Sequence, residues 1–206
     1  MPSRYIIREF AENQYYHVFN RGNHKQPIFK EDQDYRVFLR LFWDLIKHPY
    51  PDPKRPPDVI VLCYCLMPNH FHLLLKQTST AGITNLMKRL IIKYVMYFNK
   101  KYQQVGKLFQ SIFKAKEIDT EPYLLHLTRY IHQNPSEIWT GSLANYPYSS
   151  YGHYLGKTTQ LPLNTQEILS FFALSQKLSL KDFLSYQSFV ESSPDQGTTL
   201  EYEYLG

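Results

Sequence analysis

A chain of 206 residues, 43% of them hydrophobic and 20% charged, has room for one sizeable core and too few residues for two full enzyme domains. No apolar run approaches the roughly 20 residues needed to cross a bilayer, and the charged start MPSRYIIREF lacks the apolar stretch of a secretory signal, so the expectation is a cytoplasmic protein with no membrane partner. The net charge is +5, and residues 191 to 206 hold Glu191, Asp195, Glu201 and Glu203 with no Lys or Arg; the part before them is more basic still, which admits a polyanionic partner such as nucleic acid.

Taken in chain order, Tyr15 to Arg21 alternates and is rich in aromatic and β-favouring side chains before Gly22-Asn23, which predicts a strand ending in a turn. From Glu31 to Lys47 the apolar residues Tyr35, Phe38, Leu39, Phe42, Leu45 and Ile46 recur at helical spacing. The segment HPYPDPKRPP holds five prolines and is read as a surface connection. Val59 to Leu66 and His70 to Lys76 flank the turn Met67-Pro68-Asn69 as a buried hairpin. Its cysteines, Cys63 and Cys65, are expected to be reduced core residues, because no second pair exists to complete a metal half-site.

Ile83 to Tyr102 reads as the longest helix, with Leu86, Leu90, Tyr94 and Tyr97 on one stripe and Lys88, Arg89, Lys93, Lys100 and Lys101 between them. Phe109 to Ile118 supplies a fourth strand with Lys114 and Lys116 on one face. Asp119-Thr120-Glu121-Pro122 opens a helix that runs from about Glu121 to Asn134 and stops before Pro135. The order βαββαβα is the split βαβ pattern of an α+β, ferredoxin-like antiparallel sheet with one additional helix. Two short helices, near Thr165 to Leu174 and Leu180 to Glu191, and an acidic tail expected to be disordered complete the chain. The expected division is residues 1–151 as the main domain and 152–206 as a helical extension.

Two features carry chemistry. In a strand, His70 and His72 point to the same face while Phe71, Leu73 and Leu75 face the other way, so the imidazoles form half of a metal site; hydrogen bonding to neighbours is the plainer reading of the same pair. On the helix Tyr123 to Asn134, Leu124, Leu127 and Ile131 define the buried side at about 100° per residue. Tyr130 lies at its border, with His126 and Asn134 one turn on either side. Singly, Tyr130 reads as an amphipathic packing residue and Asn134 as a cap.

The blocks Y-H-V-F-N-R-G (16 to 22), L-M-P-N-H-F-H (66 to 72), K-L-F-Q-S-I-F-K (107 to 114), R-Y-I-H-Q-N-P (129 to 135) and Y-P-Y-S-S-Y (146 to 151) together resemble the single-tyrosine HUH transposases, and most nearly the REP-associated tyrosine transposases. The resemblance implies a metal-dependent transposase or endonuclease that cleaves and rejoins hairpin-bearing single-stranded DNA, including REP-type palindromic repeats, through a 5′-phosphotyrosine. It implies Mg2+ or Mn2+ held by His70, His72 and Asn134, with Tyr130 as nucleophile and Tyr97 as a distant second choice. His126 is a geometric candidate for activating the phenol. Asn20, Arg21 and Asn23 are expected to touch DNA, Arg21 as a phosphate clamp, and Lys88, Arg89, Lys93, Lys114 and Lys116 to track its backbone. A monomer and a homodimer stay equally open. A rolling-circle replication initiator or relaxase shares the same chemistry, and a non-catalytic ferredoxin-like nucleic-acid-binding module stands as the alternative from a different class.

Overall fold

Strands β1 (Tyr15–Arg21), β2 (Val59–Met67), β3 (His70–Gln77) and β4 (Lys114–Ile118) make one antiparallel sheet in the order β2-β3-β1-β4. Helix α1 (Asp32–Lys47) joins β1 to β2, and α2 (Gly82–Tyr102) joins β3 to β4, so this is the split βαβ topology that the sequence predicts. The computed structural model describes residues 10–49, 52, 56–158, 161–177 and 185–192, with side chains described up to 173 in the helix that ends at 177. The acidic tail and residues 178–184 lie outside that set.

The sheet is covered on both faces. Tyr16, Val18, Phe71, Leu73 and Leu75 pack with α1 and α2 through Phe38, Phe42, Leu90 and Tyr94. Leu62, Cys63, Cys65, Met67 and Leu74 face the other way, onto α3 (Glu121–Gln133), α5 (Gln166–Lys177) and α6 (Tyr186–Glu191) through Leu127, Ile131, Ile168 and Phe189. This double cover explains why β2 reads as a nearly unbroken apolar run. Both cysteines are free and buried, as the sequence predicts. The C-terminal helices share the second core with α3, so residues beyond 151 complete the cover of that face.

Buried polar groups tie these layers together. Asp34, fully buried in α1, accepts hydrogen bonds from the Tyr97 and Tyr102 hydroxyls at 2.9 and 2.7 Å and from Lys101 Nζ at 2.7 Å, which fastens the end of α2 to the start of α1. His132 on α3 meets Ser150 Oγ at 2.8 Å and Tyr186 OH at 2.7 Å. The same serine oxygen accepts the Tyr64 N–H at 2.9 Å, and the Leu66 N–H reaches the Tyr148 carbonyl at 2.9 Å. The Y-P-Y-S-S-Y block, which leads into the single-turn helix α4 (Tyr151–Tyr154), therefore lines the outer edge of β2, whose backbone groups would otherwise be open to pairing.

Several boundaries differ from the sequence prediction. The fourth strand begins at Lys114 rather than near Phe109. Residues 108 to 110 pair with the end of β1 only through an isolated bridge from Gly22 to Phe109 and its two flanking backbone hydrogen bonds, and the Asn20 side-chain amide then takes the carbonyls of Ser111 and Ile112 at 2.9 and 2.8 Å, so a side chain interrupts the ladder before Lys114. Helix α5 reaches Lys177, and α6 covers Tyr186–Glu191 of the second helix predicted there, whose first residues, 180–184, lie outside the described set. Asn134 keeps helical dihedrals, φ −48° and ψ −41°, and opens a 3-10 turn over Asn134–Glu137. Pro135 thus changes the hydrogen-bond pattern without redirecting the chain, because a proline lacks the N–H that would continue the ladder.

Gly22 ends β1 where its N–H donates to the Asn69 carbonyl at 2.8 Å, linking β1 to the hairpin turn before His70. A Cβ there would lie 2.0 Å from the Gln26 carbonyl oxygen, a backbone atom that cannot swing aside. Gly22→Ala is expected to destabilise the protein by roughly 1–3 kcal/mol through overpacking, read as a lower urea midpoint at unchanged slope; an unmoved midpoint would show that the turn yields freely.

Candidate active site

Register builds the site. β1 and β3 pair so that Arg21 lies opposite His70 and Phe19 opposite His72. These residues, with His17, share the sheet face that looks toward α3. His70 and His72 project from it with ring centroids 5.0 Å apart. His72 is only 1% exposed; its Nδ1 lies 2.9 Å from His17 Nε2, and its Nε2 is buried without a hydrogen-bond partner among the described residues. His70 is held from both sides, by Asn69 Oδ1 at 2.6 Å on Nδ1 and by Asn134 Oδ1 at 3.0 Å on Nε2.

Helix α3 brings the tyrosine. The Tyr130 ring stands edge-on to His72 with centroids 5.3 Å apart and edge-on to His17 at 6.4 Å. Burial raises its phenol pKa above the ordinary value; a hydrogen bond with Asn134 and the nearby Arg21 charge act in the opposite direction. Asn134 thus contacts both the phenol and His70. His126 does not join them. Its ring turns to Phe189 of α6, 5.7 Å away, because the helical stripe is wide enough for α6 to claim the turn below Tyr130.

Burial disfavours the charged form of all three imidazoles. Burial lowers the His70 pKa below its usual value, with Arg21 adding to the effect and the Asn134 hydrogen bond opposing it; burial pushes His72 well below, and brings His17 to about 3. A neutral imidazole is the form that ligates a metal.

The other predicted site residues divide by position. A cleft beside the histidines is lined by Phe19, Asn20, Arg21, His70, His72, Gln110 and Lys114. Lys114 Nζ lies 5.7 Å from the Phe19 ring and Lys116 Nζ 4.8 Å from the Tyr123 ring, both on the histidine side. The Asn20 amide is occupied with residues 111 and 112. Asn23 sits in the turn after β1, its N–H on the Leu108 carbonyl at 2.8 Å. Lys88, Arg89 and Lys93 lie on α2, which packs on the opposite face of the sheet, away from the histidines. So do the competing tyrosines: Tyr94 donates to the Ile28 carbonyl at 2.5 Å, and Tyr97 and Tyr102 donate to Asp34.

His17, Phe19, Asn69 and Gln110 are at the site and carried no assigned role in the sequence. For His17 a signal existed, since it alternates in phase with Arg21 along β1. Gln110 enters because its N–H donates to the Arg21 carbonyl at 3.0 Å while Asn20 holds the chain just beyond it.

The donor set fits a divalent cation. Among the described residues no group of three or more His, Cys, Asp or Glu is placed to hold one; the set here is two imidazoles and an amide oxygen. The 3.0 Å between His70 Nε2 and Asn134 Oδ1 matches the separation of about 3 Å expected for adjacent corners of an octahedron with bonds of about 2.1 Å. The partnerless Nε2 of His72 is a third donor in the same cluster.

A family described as IS200-like transposase matches residues 10–134. The chain belongs to the IS200-like transposase family. The matched stretch of this transposase runs from the threshold of β1 to Asn134, and so takes in every strand, the histidine pair and the whole of α3. No curated protein sequence matches the chain. Among solved structures, a REP-associated tyrosine transposase bound to a REP hairpin is similar with a TM-score of 0.56 and 14% identity, over 75% of this chain and 86% of that one; at that identity the likeness is one of fold. A Deinococcus radiodurans protein assigned as a transposase is similar at TM-score 0.40 and 16% identity, over 65% of this chain and 96% of that one, which is too loose to add to the comparison.

Proposed function

We propose that this transposase cleaves and rejoins hairpin-bearing single-stranded DNA through a covalent 5′-phosphotyrosine at Tyr130, with Mg2+ or Mn2+ held by His70, His72 and Asn134. The observation that carries this reading is the meeting of α3 with the histidine strand, where Tyr130 stands against His72 and, one turn on, Asn134 Oδ1 lies 3.0 Å from His70 Nε2. That a protein of similar fold is bound to a REP hairpin supports hairpin DNA as the substrate. A non-catalytic DNA-binding module would have no use for this convergence.

When bound, the divalent cation polarises the scissile phosphodiester and offsets charge on its oxygens. The chain supplies the rest. Arg21, with Lys114 across the cleft, holds the phosphate by charge-assisted contacts. The Tyr130 oxygen attacks phosphorus, the bond from phosphorus to the 3′ oxygen breaks, and the phenol proton is in net transferred to that oxygen. The products are a phosphotyrosine ester and a free 3′-hydroxyl. Because one phosphoester replaces another, the reverse attack by a 3′-hydroxyl rejoins DNA without a nucleotide cofactor. We place this reaction in the cytoplasm, where the two buried thiols stay reduced.

Purified protein is expected to cut hairpin-bearing single-stranded DNA in Mg2+ or Mn2+ and to be inert in excess chelator. Gel analysis of labelled hairpin, unstructured single strand and duplex checks this. Equal cutting of duplex and single strand, or full activity in chelator, overturns the reading.

A further inference from the structure

His17 and His72 are neighbours on adjacent strands but not a directly opposed pair: His17 is registered against Leu74 and His72 against Phe19. The diagonal of the ladder is nevertheless short enough for ring atoms to meet. His17 Nε2 and His72 Nδ1 lie 2.9 Å apart, with ring planes inclined by only 22°, so each nitrogen's in-plane lone pair or N–H points at the other. Both side chains are buried, at 0% and 1% exposure. The Phe19 ring stacks on His17 with centroids 4.7 Å apart and the Tyr130 ring stands nearly perpendicular to it with centroids 6.4 Å apart, and these fix the plane of the ring.

One proton is shared across that contact, and its location decides what His72 can do. If His17 donates, His72 carries its own proton on Nε2 and has no lone pair there. If His72 donates, its Nε2 is a bare lone pair; that atom and the outer nitrogen of the pair on the other side, His17 Nδ1, are both buried without a hydrogen-bond partner among the described residues, so the contact itself fits either arrangement and the need for a ligand decides between them. Only the second arrangement makes His72 a ligand.

We propose that His17 is a positioning residue for His72: its Nε2 accepts the Nδ1–H of His72, fixes the ring in its plane and leaves the Nε2 lone pair free for the cation. The proposal rests on the metal site proposed above, and extends it to a residue that touches neither metal nor DNA. Partners of this kind orient ligands and raise their basicity, and removing one typically lowers metal affinity by roughly 10–100-fold.

His17→Phe keeps the ring volume and removes the acceptor. His17→Gln keeps an amide oxygen within reach of the same nitrogen. Mn2+ titration followed by electron paramagnetic resonance is expected to show an affinity loss of roughly 10–100-fold for His17→Phe and recovery of most of it for His17→Gln, with hairpin affinity in chelator unchanged in both. A folded His17→Phe protein that binds Mn2+ as the parent does overturns the proposal. A second measurement needs no variant: nitrogen-15 spectra of the metal-free parent should show His72 protonated on Nδ1, and a proton on Nε2 overturns the proposal outright. If the parent binds no Mn2+ at all, the metal site itself fails, while the His72 proton still decides whether His17 orients it.

Discussion

Tyr130→Phe is expected to leave a folded protein that binds hairpin DNA and Mn2+ as the parent does and forms no covalent adduct. The substitution removes one oxygen. The ring keeps its edge contacts with His72 and His17, and Asn134 keeps its contact with His70, so the stability change should not exceed about 1 kcal/mol, the net worth of one hydrogen bond. A tyrosine that only packs would tolerate this. A nucleophile would not, and loss of one costs roughly 10^4 to 10^6-fold in turnover where a covalent step is obligatory. Mass spectrometry of the parent trapped with cleaved DNA should place the nucleotide on the peptide containing Tyr130. An adduct on Tyr94, Tyr97 or Tyr102 would overturn the assignment, and would also require that tyrosine to leave a hydrogen bond on the far side of the sheet.

The contrast between Tyr130 and those three tyrosines marks where the sequence is informative. Hydrophobic periodicity placed β1, β2, β3, α1, α2 and α3 to within a few residues, because each buries a face whose period is set by its own backbone. The helix stripe that puts Asn134 one turn from Tyr130 is equally local. Pairings between distant segments are not local. His126 and Asn134 are symmetric about Tyr130 on a helical wheel, and only the packing of α6, with Phe189 over His126, breaks the symmetry.

The basic helix illustrates a different gap. The spacing of Lys88, Arg89 and Lys93 shows that they avoid the core, yet not which side of the sheet they occupy. That side follows from two rules together: right-handed crossovers set both helices of a split βαβ pair on one face, and Phe71, Leu73 and Leu75 must meet them there. His70 and His72 then face away from α2. His17 could have been found by the same step, since residues in phase with Arg21 on β1 share the histidine face. What no sequence pattern supplies is the register of β1 against β3, and without it the 2.9 Å contact from His17 to His72 is invisible.

His70→Ala and His72→Ala are each expected to abolish cleavage while leaving most of the hairpin affinity, because Lys and Arg contacts to phosphate supply most of that affinity. The two variants test the metal site unequally. His70 lies partly buried at the rim between Asn69 and Asn134, and its removal leaves both amides within reach of water, so stability should stay within about 1 kcal/mol of the parent. His72 is buried; its loss opens a cavity and strands His17 Nε2, at a cost on the order of 2–3 kcal/mol. Inactivity of His72→Ala alone could therefore reflect a loosened core. Inactivity of His70→Ala, with an unchanged urea midpoint and a Mn2+ affinity reduced by roughly 10^2-fold or more, could not. If His70→Ala cleaves normally in Mn2+ and still fails in chelator, the cation is real but sits elsewhere, and the contact between His70 and Asn134 is a strand histidine capping the end of α3.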